Sequence, residues 1–147
     1  CACLVGSEMC IRDRYCGNPV SCAAANKVMD IMKAEDFAGK ARHIADRVMA
    51  KFNEFKEKYP VVGDVRGLGA MIGVEYVKDK ESKEPYGEFV SKMIQNAIQM
   101  GLLMENAGTN GNVIRFLAPL VMTDEQMEKG LEIYEAALVK TMKDLGL

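Results

Sequence analysis

Apolar residues recur at steps of three and four through Phe37, Ala41, Ile44, Ala45, Val48, Phe52, Phe55 and Tyr59. That spacing predicts one face of a long amphipathic helix, stopped by Pro60. Upstream, Asn18-Pro19 predicts a helix start before VSCAAANKVMDIMKAE, because asparagine can cap free amides and proline at the first helical position loses no hydrogen bond. Past Pro60 the period drops to two: Ala70, Ile72, Val74 and Tyr76 alternate with Met71, Gly73, Glu75 and Val77, as in a strand. KDKESKEP reads as a charged surface loop. A further helical stripe runs through Phe89, Val90, Met93, Ile94, Ala97 and Ile98, with Gly101 as its stop. LLME and NVIRFL read as strands around the turn-rich AGTNGN. Thr123 with Gln126 predicts a capping box, opening a helix whose apolar face is Met127, Leu131, Tyr134, Leu138 and Met142.

The predicted order is helix, helix, strand, helix, strand, strand, helix. Short strands and a hairpin among long helices imply an α+β fold: a small antiparallel or mixed sheet of three to four strands packed with helices. There is no internal repeat and no low-complexity segment.

The first residues change the picture of where this domain begins. Four of the five cysteines, Cys1, Cys3, Cys10 and Cys16, crowd the first sixteen positions. An odd count argues against a secreted disulfide framework, and Leu4-Val5 followed by Gly6, Ser7 and Glu8 is too short an apolar run for a signal peptide. Cys1, Cys3 and Cys10 lack zinc-ligand spacing, and no metal site is expected. Residues Cys3 to Arg14 instead resemble, without a gap, the translation of a transposon-end adapter used in sequencing libraries. Residues 1–14 are therefore expected to be a non-native segment, and 15–147 the domain. Leaving that segment out removes Glu8, Asp13, Arg12 and Arg14 and keeps the net charge at −2, which gives no basic surface for nucleic acid. The remaining Cys16 and Cys22 fit two ordinary buried thiols in a reducing cytoplasm. Glu75 and Arg115 interrupt the two most apolar stretches, so no membrane span is expected.

Three features carry candidate chemistry. The glycines of VRGLGAMIG (Gly67, Gly69, Gly73) lead into a strand, whereas a nucleotide-binding glycine loop leaves a strand and opens a helix. They predict a bend or a close backbone approach instead, and Gly108 and Gly111 predict turns. His43, the single histidine, lies one position off its helix's apolar stripe and is expected at a solvated rim. Arg115 in NVIRFLAPL places a permanent cation in an apolar strand, sharing a face with Val113 and Leu117 and opposed by Ile114 and Phe116. It must reach solvent, pair with a carboxylate of the chain, or receive one from a ligand, since an unpaired buried guanidinium is prohibitively costly. A planar fork suits a carboxylate, with roughly 1.5–3 kcal/mol per charged hydrogen bond.

YCGNPVSCAAANKVMDIM, then VGDVRGLGAMIGVEYV, then NVIRFLAPLVMTDEQMEKGLEI together resemble the C-terminal portion of a class III pyridoxal-phosphate aminotransferase. The blocks keep the family's order and separations, and the wording is most similar to bacterial 4-aminobutyrate aminotransferases. The resemblance implies the C-terminal small domain of a fold-type I aminotransferase, a soluble cytoplasmic enzyme, a homodimer in the whole protein, and small amino and oxo acids as partners. It implies transfer of an amino group from 4-aminobutyrate to 2-oxoglutarate, with ornithine, acetylornithine or diamine aminotransferases as alternatives. A stand-alone ligand-binding or interaction module without catalysis is the reading from another class.

The resemblance also assigns residues. Arg115 would grip the carboxylate of glutamate or 2-oxoglutarate. Tyr15, Gly17, Asn18 and Pro19 would lie in the loop near the cofactor phosphate, where Arg14 stands in place of the family's phosphate-contacting threonine. The Schiff-base lysine, the aspartate facing the pyridine nitrogen and the stacking aromatic would all lie upstream of Tyr15, together with the cofactor domain. The chain is expected to lack catalytic residues of its own and to leave apolar surface uncovered.

Overall fold

The structure, a computed structural model, describes residues 17–147. The adapter-like stretch, Tyr15 and Cys16 lie outside the described residues. The chain divides into two compact units, Cys1–Phe37 and Ala38–Leu147.

In the first unit, helix α1 spans Pro19–Ala34, with Asn18 as its cap and Pro19 in the first turn. Asn18 Oδ1 accepts from the Val20 amide at 2.9 Å and the Ser21 amide at 3.4 Å. None of the α1 residues is buried. Cys22 is a free, exposed thiol rather than the buried one expected, because this helix has no buried side to hold it.

The second unit is α+β. Helix α2 (Phe37–Lys58) leads into strands β1 (Val62–Leu68) and β2 (Met71–Tyr76), then α3 (Gly87–Gln99), β3 (Glu105–Ala107), β4 (Val113–Leu117) and α4 (Asp124–Asp144). The four strands form one sheet in the order β1-β2-β4-β3, antiparallel throughout.

Two strands differ from expectation. β1 was not anticipated, since Gly63, Asp64, Arg66 and Gly67 obscure any apolar alternation, and a register shift between Val62 and Asp64 breaks the period of two. β3 begins at Glu105, three residues beyond the start of LLME, and Leu103 is left exposed. The expected close approach is found at Gly67, where an added β-carbon would sit 2.4 Å from the Met71 carbonyl oxygen. Gly69 makes the β1–β2 turn with φ +56°, a left-handed conformation that glycine adopts without steric cost.

Within this unit, helices α2, α3 and α4 cover one face of the sheet. The stripe read from α2 is buried at Ile44, Val48, Phe52 and Phe55. Phe52 meets Phe116 of β4 edge-on with centroids 5.9 Å apart, and Tyr134 of α4 at 4.9 Å. Tyr76 of β2 stacks on Phe89 of α3 at 5.2 Å. On α3, Ile98 falls off the buried stripe and is exposed. α4 starts with the predicted capping box of Thr123 and Gln126 and buries Met127, Leu131, Tyr134 and Leu138.

Polar groups inside this core are paired. Asn96 on α3 donates to Thr141 Oγ1 at 2.9 Å and accepts from Lys140 Nζ at 2.7 Å, tying α3 to α4. The Tyr76 and Tyr134 hydroxyls lie 2.7 Å apart in the interior, where burial pushes both phenols well above their ordinary ionisation range. Losing one hydroxyl strands the other, at about 1–3 kcal/mol, whereas losing both removes the unmet group. Urea unfolding is expected to show Tyr134→Phe and Tyr76→Phe each destabilised by about that amount. The double variant should be destabilised by clearly less than the two single effects added together.

Along the rim, Glu135 of α4 accepts from Lys58 Nζ and from the Tyr59 hydroxyl, each at 2.7 Å. The hydrogen bond from Lys58, then that from Tyr59, holds the Glu135 carboxyl below the usual glutamate range, against the opposing effect of burial. A native value below the unfolded one contributes stability that is full above the unfolded value, about 4.3 for glutamate, and is lost as pH falls through the native value. The urea midpoint of the wild-type chain is expected to drop below about pH 4.3. The Glu135→Gln chain should drop less steeply there, and superimposable pH profiles would contradict this assignment.

Candidate functional site

The face of the sheet away from the helices is open and ordered by the register. Arg66 of β1 pairs with Gly73 of β2, Gly73 with Arg115 of β4, and Arg115 with Glu105 of β3. These four positions form one row across the sheet. The neighbouring row is apolar, with Leu68 opposite Met71 and Met71 opposite Leu117, and these three side chains are 89%, 55% and 60% exposed. Uncovered apolar surface was anticipated from the sequence, and here it borders a charged row.

The two arginines sit about 10 Å apart, two strand spacings, and Gly73 between them presents no side chain. An added β-carbon at Gly73 would come no nearer than 3.4 Å to Val113 Cγ1, so packing does not demand glycine there.

Their partners differ. Arg66 Nη1 donates to Asp64 at 3.1 Å and to Glu75 at 2.5 Å. Those two carboxylates, Glu75 most of all, raise the guanidinium above its ordinary range. Glu75 is held in turn by Asn112 Nδ2 at 3.3 Å, and the Asp64 carboxyl is lowered chiefly by Lys56. Arg66 is thus locked into a network. Arg115 Nη2 donates to one oxygen of Glu105, with both side chains exposed. Of the three fates open to Arg115, the structure displays an exposed cross-strand ion pair. Neither Glu105 nor Arg66 stood out in the sequence, because their placement depends on the register.

Beside β4 lies a cavity of about 400 Å³ whose walls include Met104, Phe116, Met127 and Tyr134, with Arg115 and Glu105 also lining it. An apolar hollow with a charged pair in its wall suits a short hydrocarbon chain ending in a charged group.

His43 takes no part in this surface. It is exposed, with Nε2 2.8 Å from Asp124 Oδ1. Arg47 also reaches Asp124, and reaches Glu128 at 2.5 Å, so the cluster links α2 to α4. The hydrogen bond from His43, before the pull of Arg47, lowers the Asp124 carboxyl. Among the described residues no group of three or more histidines, cysteines and carboxylates could hold a metal ion. No helix among them is long and apolar enough to cross a membrane.

Of the loop expected near a cofactor phosphate, Tyr15 lies outside the described residues, and Gly17 and Asn18 precede α1. Asn18 takes the Val20 and Ser21 amides, and Pro19 has no N–H.

The sequence profile described as aminotransferase class-III matches residues 12–138, a family whose enzymes depend on pyridoxal phosphate. The chain is 43% identical over 124 residues to a probable 4-aminobutyrate aminotransferase of Bacillus subtilis, covering 84% of this chain and 28% of the relative. It is 41% identical over 125 residues to an alanine/serine racemase of Pyrococcus horikoshii, covering 85% of this chain and 26% of that protein. The structure matches the PMP-bound aminotransferase of Vibrio fluvialis with a TM-score of 0.76 and 30% identity, over 86% of this chain and 28% of that one. The chain thus spans little more than a quarter of the length of these proteins. A helix-backed antiparallel sheet of matching shape, together with the profile match over most of its length, makes this chain a member of the class III aminotransferase family.

Proposed function

We propose that this chain is the C-terminal portion of a pyridoxal-phosphate-dependent aminotransferase that moves an amino group from 4-aminobutyrate to 2-oxoglutarate. In this reading Arg115 receives the carboxylate of the oxo acid. The observation that carries it is the exposed guanidinium of Arg115 on the open sheet face, beside an apolar cavity and held by a single carboxylate. The likeness to the Bacillus subtilis protein supports the choice of donor. Ornithine, acetylornithine or a diamine could replace that donor without altering the role of Arg115.

When bound, pyridoxal phosphate would supply the electron sink for the chemistry. The residues of this chain would bind and orient the acid, and the open face would meet the cofactor-bearing part of a cytoplasmic, dimeric enzyme. The lysine that holds the cofactor would come from that other part. The racemase relative supports a second reading, in which the same portion serves an enzyme that inverts an amino acid. In the whole protein that contains this chain, glutamate formed only when 4-aminobutyrate and 2-oxoglutarate are both present favours transamination. A D-amino acid formed without any oxo acid favours racemisation.

The role of Arg115 is tested by joining residues 15–147 to the remaining part of the Bacillus subtilis relative and measuring glutamate formation. Arg115→Ala is expected to lower kcat/KM for 2-oxoglutarate roughly 10- to 100-fold, the size of one charge-assisted hydrogen bond. The value for the amino donor should change less. An unchanged kcat/KM for 2-oxoglutarate would overturn the assignment.

A further inference from the structure

An asparagine loses its side-chain amide without an enzyme when the backbone nitrogen of the next residue reaches its Cγ. How each of the chain's seven asparagines is held decides where that can happen. Asn18 precedes Pro19, whose nitrogen has no proton to give up. Asn26 and Asn53 lie inside α1 and α2, and Asn96 is buried in α3, where the helical hydrogen-bond ladder fixes the following amide. Asn106 lies within the β3–β4 pairing. Asn112 is 3% exposed, its Nδ2 donates to Glu75 and to the Tyr76 carbonyl, and the branched Val113 follows it.

Asn110 differs on each count. It is exposed in the turn that joins β3 to β4, and its side-chain amide makes no hydrogen bond to the described residues. Gly111 follows with φ +61°, and a β-carbon added there would meet only Asn106 Nδ2, at 3.7 Å. Lacking that carbon, Gly111 presents an uncrowded nitrogen on a main chain that turns freely. We propose that Asn110 is a site of spontaneous covalent modification, converted through a succinimide to aspartate and isoaspartate. Hydroxide takes the Gly111 amide proton, the nitrogen bonds to Asn110 Cγ, and the Cγ–Nδ2 bond breaks, the nitrogen leaving as ammonia with a proton from water. Water then opens the ring at Cγ, giving aspartate, or at the main-chain carbonyl, giving isoaspartate; nothing is oxidised or reduced. The Gly111 N–H donates to the Gly108 carbonyl at 3.1 Å, so the turn must open first, and the folded chain reacts more slowly than the unfolded one. Isoaspartate inserts a methylene into the main chain. The Asn110 carbonyl lies so near Gly87 that a β-carbon there would be 2.7 Å from it. The lengthened turn does not fit that space and loosens the β3–β4 hairpin, whereas aspartate keeps the original path.

The test holds the full 147-residue chain, its fold checked by circular dichroism, in mildly alkaline buffer. Peptide mapping with fragmentation that separates aspartate from isoaspartate follows each asparagine. Asn110 is expected to convert first, to both acids, at a rate first-order in hydroxide and several-fold lower than in urea. Asn110→Gln, whose longer side chain must close a larger ring, should show no acid at 110 over the same period. Another asparagine converting ahead of Asn110 would overturn the site, as would Asn110 left intact in the folded chain after full conversion in urea. Aspartate formed without isoaspartate would rule out the succinimide route. The isoaspartyl chain, separated chromatographically, should unfold at lower urea than Asn110→Asp, and equal midpoints would contradict the effect on the hairpin.

Discussion

Alternation along β4 is the constraint on which the rest of the arrangement depends. With Ile114 buried and Phe116 packed edge-on against Phe52, the residues between and beyond them, Arg115 and Leu117, must face the opposite side. A one-residue slip would bury the guanidinium against the aromatic core and expose Ile114 and Phe116. The helices thus do more than close a core. By burying one side of the sheet they fix which side carries a cation.

The open face sets two kinds of surface side by side. The Leu68, Met71 and Leu117 row is apolar and exposed, and the adjacent row is cationic at Arg66 and Arg115. The arginines are chemically alike and differ in their restraint. Arg66 is neutralised by Asp64 and Glu75 and forms part of the sheet's own structure. Arg115 meets a carboxylate that water also reaches, so exchanging partners there costs little desolvation. In the proposed function it is Arg115, not Arg66, that meets the ligand.

The helices α2, α3 and α4 were legible because each carries an apolar stripe over several turns: Phe52, Phe55, Met93, Tyr134 and Leu138 all fall where the spacing put them. Asn18 and the Thr123–Gln126 box act as the caps they resemble. β1 was not legible, because its glycines and charges serve a bulge and an open face and leave no alternation to read. Cys22 was misread as buried, since its alanine-rich helix looks like a packing helix while the described chain provides no core around it. Arg115 was visible as a cation in an apolar strand. The row that gives it meaning, Arg66, Gly73 and Glu105, could not be seen, because strand register is set by pairing between segments distant in sequence.

In the proposed function the open sheet face presents Arg115 to the carboxylate of a small acid. The most direct measurement is a crystal structure of the whole protein containing this chain, with 2-oxoglutarate bound. The account predicts the oxo acid carboxylate on the Arg115 guanidinium at about 2.7–2.9 Å, with Glu105 turned away. An oxo acid held elsewhere, with the Arg115–Glu105 pair intact, would contradict it.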